Sequence, residues 1–248
     1  MAGAIAQGLL AALLPCNCVL CGGSGASLLC SGCHGQFFTA APRRCPVCAN
    51  PLPPGAPGRV VPCGRCQADR PAFDATFVAA DYALPVDRLV LQLKFARQLA
   101  LARLFGGLLA DAVLRAESDP GALPLARPAL LCPVPLGLQR LTERGFNQAL
   151  EIARPLGKAL GIAVHARLAL RVRETPAQSS TPHGARESNM ANAFAIPDRA
   201  LVEGRHIGLV DDVMSSGQTL QELAATLKRH GAARVTNYVF ARTPPNTN

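Results

Sequence analysis

Tryptophan is absent from this chain, and aromatic residues make up only 4% of it. A broad platform that stacks base after base on aromatic rings has almost nothing to be built from. Acidic residues are scarce as well: 16 Asp and Glu stand against 25 Lys and Arg, a formal net charge of +9. That balance favours polyanionic partners, whether nucleic acid, phosphorylated ligands or an anionic membrane surface. The arginines are spread out rather than run together, so composition alone does not separate a nucleic-acid surface from a general arginine bias. No apolar stretch reaches the length of a transmembrane helix. Residues 1–14 are apolar (Ala4, Ile5, Leu9, Leu10) but lack a basic leader and run into Pro15-Cys16. They read as a short amphipathic helix rather than a signal peptide. What the chain does have is a hydrophobic content of 49% over 248 residues. That is room for a small N-terminal module of about 70 residues and one α/β domain.

Cysteine is plentiful and patterned. Four Cys-x-x-Cys pairs lie near the N-terminus: Cys18/Cys21, Cys30/Cys33, Cys45/Cys48 and Cys63/Cys66. Two such pairs supply a tetrahedral thiolate set for one zinc ion, so four pairs fit two structural Zn2+ sites. The chain between the pairs is short, polar and rich in Pro and Gly, so metal must supply its folding energy. Gly22 and Gly64 suit the tight turns of metal knuckles. Structural disulfides would need a secretory setting, and a redox dithiol would normally be single and beside a βαβ unit. Thiols kept for metal place the chain in the cytoplasm. Sequential pairing, first two pairs and last two pairs, is preferred, and a crossed arrangement stays open. Cys16 reads as a spare thiol and Cys132, in an apolar run, as a small core residue.

The second concentration of chemistry is Leu209-Val210-Asp211-Asp212-Val213-Met214-Ser215-Ser216-Gly217-Gln218-Thr219-Leu220. Ile207–Val210 reads as a buried parallel strand and Gln218–His230, with Leu220, Leu223, Ala224 and Leu227, as a helix. Ligands in open α/β sheets sit outside the carboxyl ends of strands, which here carry Asp211 and Asp212. The turn offers backbone N–H groups, hydroxyls and a positive helix end, as a phosphate requires. A serine N-cap explains one hydroxyl but not two adjacent acids, whose repulsion needs compensation. The combination fits a sugar phosphate: acids for ribose hydroxyls, amides for the 5′-phosphate.

Elsewhere strands (73–83, Ala129–Val134, Val235–Phe240) alternate with helical segments (86–116, Phe146–Leu160), and Ile162–Leu170 reads as strand or extended chain. The alternation implies βαβ units and a parallel sheet flanked by helices. Val134-Pro135-Leu136 is a stiff turn after a strand. Arg140 and Arg144-Gly145-Phe146-Asn147-Gln148 follow, a second anion-facing loop in which Arg144 suits a pyrophosphate. The alternative there is a proline turn with an Asn147 cap and solvent-facing arginines. Arg173, Thr175, Gln178, Arg186 and Asn189 belong to a polar loop that suits closure over a charged substrate, against a plain surface loop. Lys94-Phe95 is weaker, with a surface role favoured.

Taken in order, the chain resembles the ComF/GntX family, often called competence protein F. The resemblance rests on the four cysteine pairs, Leu93-Lys94-Phe95, Val134-Pro135-Leu136, Arg144-Gly145-Phe146-Asn147-Gln148, Arg173, Thr175, Gln178, Arg186, Asn189, Asn192-Ala193-Phe194 and the acid-rich stretch. That last stretch resembles the phosphoribosyl pyrophosphate (PRPP) motif of type I phosphoribosyltransferases, with Ser215 and Ser216 where two Thr are usual. Glu143 stands where Arg is common and Thr181 where Leu is common.

The resemblance implies a double zinc-finger module over 1–70 and a phosphoribosyltransferase-like domain over 71–248. It implies a role in DNA uptake during natural transformation, alongside DNA-uptake or helicase proteins, with phosphoribosyl transfer from PRPP to an unidentified acceptor. Asp211 and Asp212 would hold the ribose, and Val213, Met214, Ser215, Ser216, Gly217, Gln218 and Thr219 the 5′-phosphate. Val134, Pro135 and Arg144 would face pyrophosphate and Mg2+, and Arg173 and Arg186 would close the lid. The alternative is a non-catalytic, zinc-containing factor that binds single-stranded DNA on the same scaffold and tracks its phosphates.

Overall fold

The computed structural model describes residues 16–39, 42–53, 61–118, 126–173 and 193–244. Five strands form one parallel sheet: β3 (Ala75–Asp81), β4 (Leu130–Pro133), β5 (Ala163–Val164), β8 (His206–Met214) and β9 (Arg234–Arg242). Their spatial order is β3-β9-β8-β4-β5. Two-residue arms β1 (Cys16–Asn17) with β2 (Ser24–Gly25), and β6 (Leu170–Arg171) with β7 (Phe194–Ala195), pair antiparallel beside it. The central strands are apolar on both faces because both are covered: Ile207, Leu209, Val210, Val235, Val239 and Phe240 are fully buried.

One face is packed by α3 (Val86–Phe95), α4 (Ala100–Glu117) and α6 (Gln148–Leu160), whose Leu89, Phe105 and Ile152 meet Val210 and Phe240. Phe105 stacks on Phe240 with ring centroids 3.6 Å apart. The other face is packed by α7 (Gln218–Arg229), through Leu220, Leu223 and Leu227 against Leu209 and Val239. A helical apolar stripe on a two-sided sheet is what the sequence pattern specifies. α4 and α6 approach closely at Gly106, where a Cβ would lie 2.5 Å from Pro155 Cγ and 2.9 Å from Ile152 O.

The N-terminal segment wraps β3, which is an edge of the sheet. The first cysteine loop, with α1 (Ser31–His34) and a π-turn (Gly35–Thr39), packs on the α4 face. There Phe38 lies 6.3 Å from Phe240, centroid to centroid, and Arg115 Nη2 donates to Phe38 O at 2.9 Å. The second cysteine loop, with α2 (Gly64–Ala68), packs on the α7 face, where Val47, Cys48 and Cys66 join Leu223 and Val239 in one core. Thr76 of β3 donates from its hydroxyl to Val47 O at 2.6 Å, and Arg44 pairs with Asp81 at 2.9 Å.

Several local readings need correction. β8 does not stop at Val210 but runs through the two acids to Met214, because β9 continues beside it to the Met214–Arg242 pair. The 86–116 segment, read as helical in one or two pieces, is the two helices α3 and α4. A separate short helix α5 (Leu138–Arg144) precedes α6, and Gly145 closes it in the left-handed region (φ 77°) instead of opening the next helix. Gly64 is the first residue of α2 rather than a left-handed knuckle turn, whereas Gly22 does turn there at φ 74°. The 162–170 stretch contributes only the two residues of β5 to the sheet. Residues 1–14 lie outside the described residues.

Candidate functional site

At the carboxyl end of β8 the chain leaves the sheet at Met214, turns through the exposed Ser215 and Ser216, and enters α7. Gly217 makes the turn in the left-handed region at φ 83°, which disfavours a side chain. No side chain caps α7; the nearest contact is Gln218 N–H to Ser216 Oγ at 3.4 Å, on the turn itself. The helix therefore starts with open N–H groups and its positive end facing the turn.

Asp211 and Asp212 sit within β8, just before this turn. Asp212 is 3% exposed, and its Oδ2 pairs with Lys94 Nζ at 2.8 Å. Lys94 is thus not a surface residue: the last turn of α3 lies against β8, and the ammonium supplies the compensation that two adjacent acids require. Asp211 is half-buried and accepts the Asp212 N–H at 2.9 Å. Burial first, and then the neighbouring Asp212 charge, raise its carboxyl well above the ordinary range.

The turn after β4 faces the same end of the sheet. Val134 N–H donates to Val210 O at 2.9 Å, and Val134 O accepts from Asn147 Nδ2 at 3.0 Å. Asn147 also caps α6 by accepting from Ala149 and Leu150 N–H groups, so one residue shapes both turn and helix. Arg144 is not solvent-facing in the plain sense: its guanidinium lies 5.5 Å from the centre of the Phe95 ring. Arg97 Nη2 donates to Glu143 O at 3.4 Å. The end of α3 thus touches both parts, Lys94 the acids and Phe95 the arginine loop. Arg173 stands exposed beyond β6, and no described contact joins it to the Asp211–Thr219 segment. Thr175, Gln178, Thr181, Arg186, Asn189 and Asn192 lie outside the described residues.

The eight paired cysteines form two groups in sequential order: Cys18, Cys21, Cys30, Cys33 and Cys45, Cys48, Cys63, Cys66, each with its sulfurs within 4.8 Å of one another. Four sulfurs about 2.3 Å from one zinc ion at tetrahedral corners stand roughly 3.8 Å apart. Cys21 to Cys30 is 3.8 Å and Cys48 to Cys63 is 3.7 Å. These are far beyond disulfide bonding distance. Backbone N–H groups also point at sulfur: Cys30 N to Cys18 Sγ at 3.4 Å and Cys63 N to Cys45 Sγ at 3.3 Å. Burial pushes both thiols up, yet such N–H donors outweigh it and pull Cys18 down to about 6 and Cys45 to about 7. Spacing and donor type fit zinc; in the same groups burial and the neighbouring thiols push Cys33 up to about 12 and Cys48 up to about 11. Cys16 lies in β1, outside both groups. Cys132 is buried in the core, and burial pushes its thiol up to about 12.

Sequence reading missed Arg242, the last residue of β9. It is 4% exposed and donates to four carbonyls: Cys48 O from Nε (3.2 Å), and Met214 O (2.9 Å), Ser215 O and Thr243 O (2.8 Å) from Nη1. A cavity of about 290 Å³ lies between the second cysteine group and the turn, lined among others by Asn50, Arg65, Cys66, Ser216, Gly217 and Arg242. An arginine closing an apolar strand was the only sequence signal available.

The chain matches the Phosphoribosyl transferase domain family over residues 142–247. It is 39% identical to DNA utilization protein YhgH of Salmonella typhi over 199 residues, 80% of this chain and 84% of that one. Against DNA utilization protein YhgH of Escherichia coli (strain K12) the identity is 36% over the same shares. Competence protein F of Haemophilus influenzae is 30% identical over 230 residues, 91% of this chain and 96% of that one.

Proposed function

This chain belongs to the ComF/GntX family, that of DNA utilization protein YhgH and Competence protein F, and from that premise we propose that it binds PRPP and acts in DNA uptake. In the proposal the chain works as two units, a zinc module over 1–70 and a phosphoribosyltransferase-like unit over 71–248. The observation that carries the reading is the carboxyl end of β8. Two acids on a buried strand, one held by Lys94, run directly into an uncapped, glycine-turned helix start.

Asp211 and Asp212 accept from the ribose hydroxyls. Val213, Met214, Ser215, Ser216, Gly217, Gln218 and Thr219 cradle the 5′-phosphate with backbone N–H groups and hydroxyls. Val134, Pro135 and Arg144 face the pyrophosphate, and Arg173 and Arg186 close over it. Mg2+, bound with the pyrophosphate, would neutralise its charge. Where transfer occurs, an acceptor nitrogen forms the bond to C1′ as the C1′–O bond breaks. The electron pair leaves with pyrophosphate, and the nitrogen's proton passes to solvent. The protein's part is positioning and charge neutralisation, so few acid–base groups are needed. On this reading Zn2+ in the two cysteine groups is structural, and thiols kept for metal favour the cytoplasm.

The test is calorimetric titration of the zinc-loaded chain with PRPP and Mg2+, beside the Asp211→Ala/Asp212→Ala double variant. Binding by the wild type that is lost in the variant supports the reading. Unchanged affinity in the variant, or none in the wild type, overturns it. Steeply salt-dependent affinity for single strands without PRPP binding would then favour the non-catalytic DNA-binding factor.

A further inference from the structure

Arg242 is buried where its charge cannot be shed, since a guanidinium keeps its proton in proteins. Its compensation comes from backbone carbonyls on three separate segments. One is Cys48 O, in the second cysteine group, reached by Nε at 3.2 Å. Two are Met214 O and Ser215 O, the carbonyls immediately before Ser216 and Gly217. The fourth is Thr243 O, and Thr243 N–H returns to Met214 O at 3.0 Å. Cys48 is itself a sulfur donor of that group, with its Sγ 3.7 Å from Cys63 Sγ. One rigid planar fork therefore joins the backbone of a metal ligand to the backbone of the phosphate turn. The same two parts both line the 290 Å³ cavity.

We propose that Arg242 is a positioning residue that couples the second cysteine group to the phosphate turn. Metal held by Cys45, Cys48, Cys63 and Cys66 fixes the Cys48 carbonyl, and through Arg242 it fixes Met214–Gly217. Among the described residues the first group shows no such route; Phe38, which follows it, meets Phe240 and Arg115 on the other face of the sheet. The effect on the turn stands by itself; the effect on PRPP rests on the function proposed above. Coupling is reciprocal, so a ligand on the turn must also slow metal loss from the second group.

Peptide-resolved hydrogen exchange on the full zinc-loaded chain tests this without any ligand. Cys63→Ser is expected to speed exchange over residues 214–220 by about tenfold, and Cys21→Ser to leave it at the wild-type rate. Arg242→Met, with both metals retained by metal analysis, is expected to match Cys63→Ser. Arg242→Lys restores part of the loss, since a point-like ammonium reaches fewer carbonyls than the fork. Should Cys63→Ser fail to fold, Arg242→Met alone decides. The proposal is overturned by wild-type exchange in Arg242→Met, or by equal loosening in Cys21→Ser.

A second readout uses PRPP with Mg2+. Its affinity should fall about tenfold in Arg242→Met, and it should slow zinc transfer from the wild type to a chromogenic chelator by a similar factor. PRPP binding that is unaffected by Arg242→Met, with no slowing of zinc transfer, overturns the coupling and leaves the proposed function standing. The expected exchange pattern in a wild type that does not bind PRPP sinks the proposed function and leaves the coupling.

Discussion

Replacing Lys94 with methionine keeps the apolar stem on α3 and deletes only the ammonium. The Lys94–Asp212 pair is 2.8 Å long, with side-chain exposures of 19% and 4%. Breaking a buried ion pair by removing one partner costs about 3–5 kcal/mol, because the other charge is left without compensation. The lysine is not fully buried, and water reaching it lowers that figure to about 2–3 kcal/mol. Asp211 adds to the cost, since Lys94 is one of the groups that hold its raised carboxyl down. At roughly 2–4 °C per kcal/mol for a chain of this size, the melting temperature should drop by roughly 4–12 °C. Urea unfolding of Lys94→Met, Asp212→Asn and the double variant is the assay. The double variant should be more stable than the sum of the single losses by over about 1 kcal/mol, the mark of a direct pair. Loss below about 0.5 kcal/mol in Lys94→Met, or strict additivity, would refute the reasoning and return Lys94 to the surface role first assigned to it.

Gly106→Ala should destabilise by about 1–3 kcal/mol, because its Cβ would enter Pro155 and the Ile152 carbonyl. Gly107→Ala, one residue on and facing open space, should stabilise by up to about 1 kcal/mol; thermal melts of the two variants are expected to move in opposite directions. His206 is lowered from 6.5 to about 4, by burial first and then by the Arg234 charge. Between those values the unfolded chain binds more protons than the folded one. Stability should therefore fall as pH drops through that window, by roughly 2–3 kcal/mol, and His206→Gln should flatten the slope in urea titrations at stepped pH. Asp211 is raised in the folded chain, so its contribution runs the other way and costs stability as pH rises above the ordinary carboxylate range. Asp211→Asn should accordingly melt higher than the wild type at neutral pH and no higher in strong acid, while losing affinity for PRPP.

Much of the site was legible because its parts are contiguous. Two acids, a hydroxyl turn and a helical stripe follow one another within Asp211–Leu227, and a sequence preserves that order. The four cysteine pairs were readable from spacing as well, and of the two groupings left open the structure takes the preferred, sequential one. What was misjudged depends on pairs far apart in the chain. Lys94 is 118 residues from its partner Asp212, and nothing in Leu93-Lys94-Phe95 says which way the last turn of α3 faces. Arg242 shows the same limit more sharply, because its role needs Cys48 and Met214, 194 and 28 residues away, brought to it by two separate packing events. The early end assigned to β8 has a similar cause: Asp-Asp breaks an apolar run, but the β9 ladder continues past it regardless of side chain.

The wrapping of β3 supplies a last test. β3 has one sheet neighbour, β9, so its outer side is a sheet edge, and there Pro46 O accepts the Thr76 N–H at 3.3 Å. Unprotected edges invite pairing with other chains. Here each cysteine group guards one face: Phe38 seals the α4 side, while Val47 and Cys48 seal the α7 side. On the proposed zinc reading, the guarding segment, whose chain between cysteine pairs is short and rich in Pro and Gly, relies on metal for its fold. Stripping both metals with a chelator under reducing conditions should therefore release β3 first. Amides of Ala75–Asp81 should lose protection while those of Leu209, Val210 and Val239, in the middle of the sheet, keep it. Light scattering should rise with protein concentration as β3 edges pair between chains. Protection of β3 that survives complete metal loss would show that packing of Phe38 and Val47 suffices, and that metal is not what closes the edge.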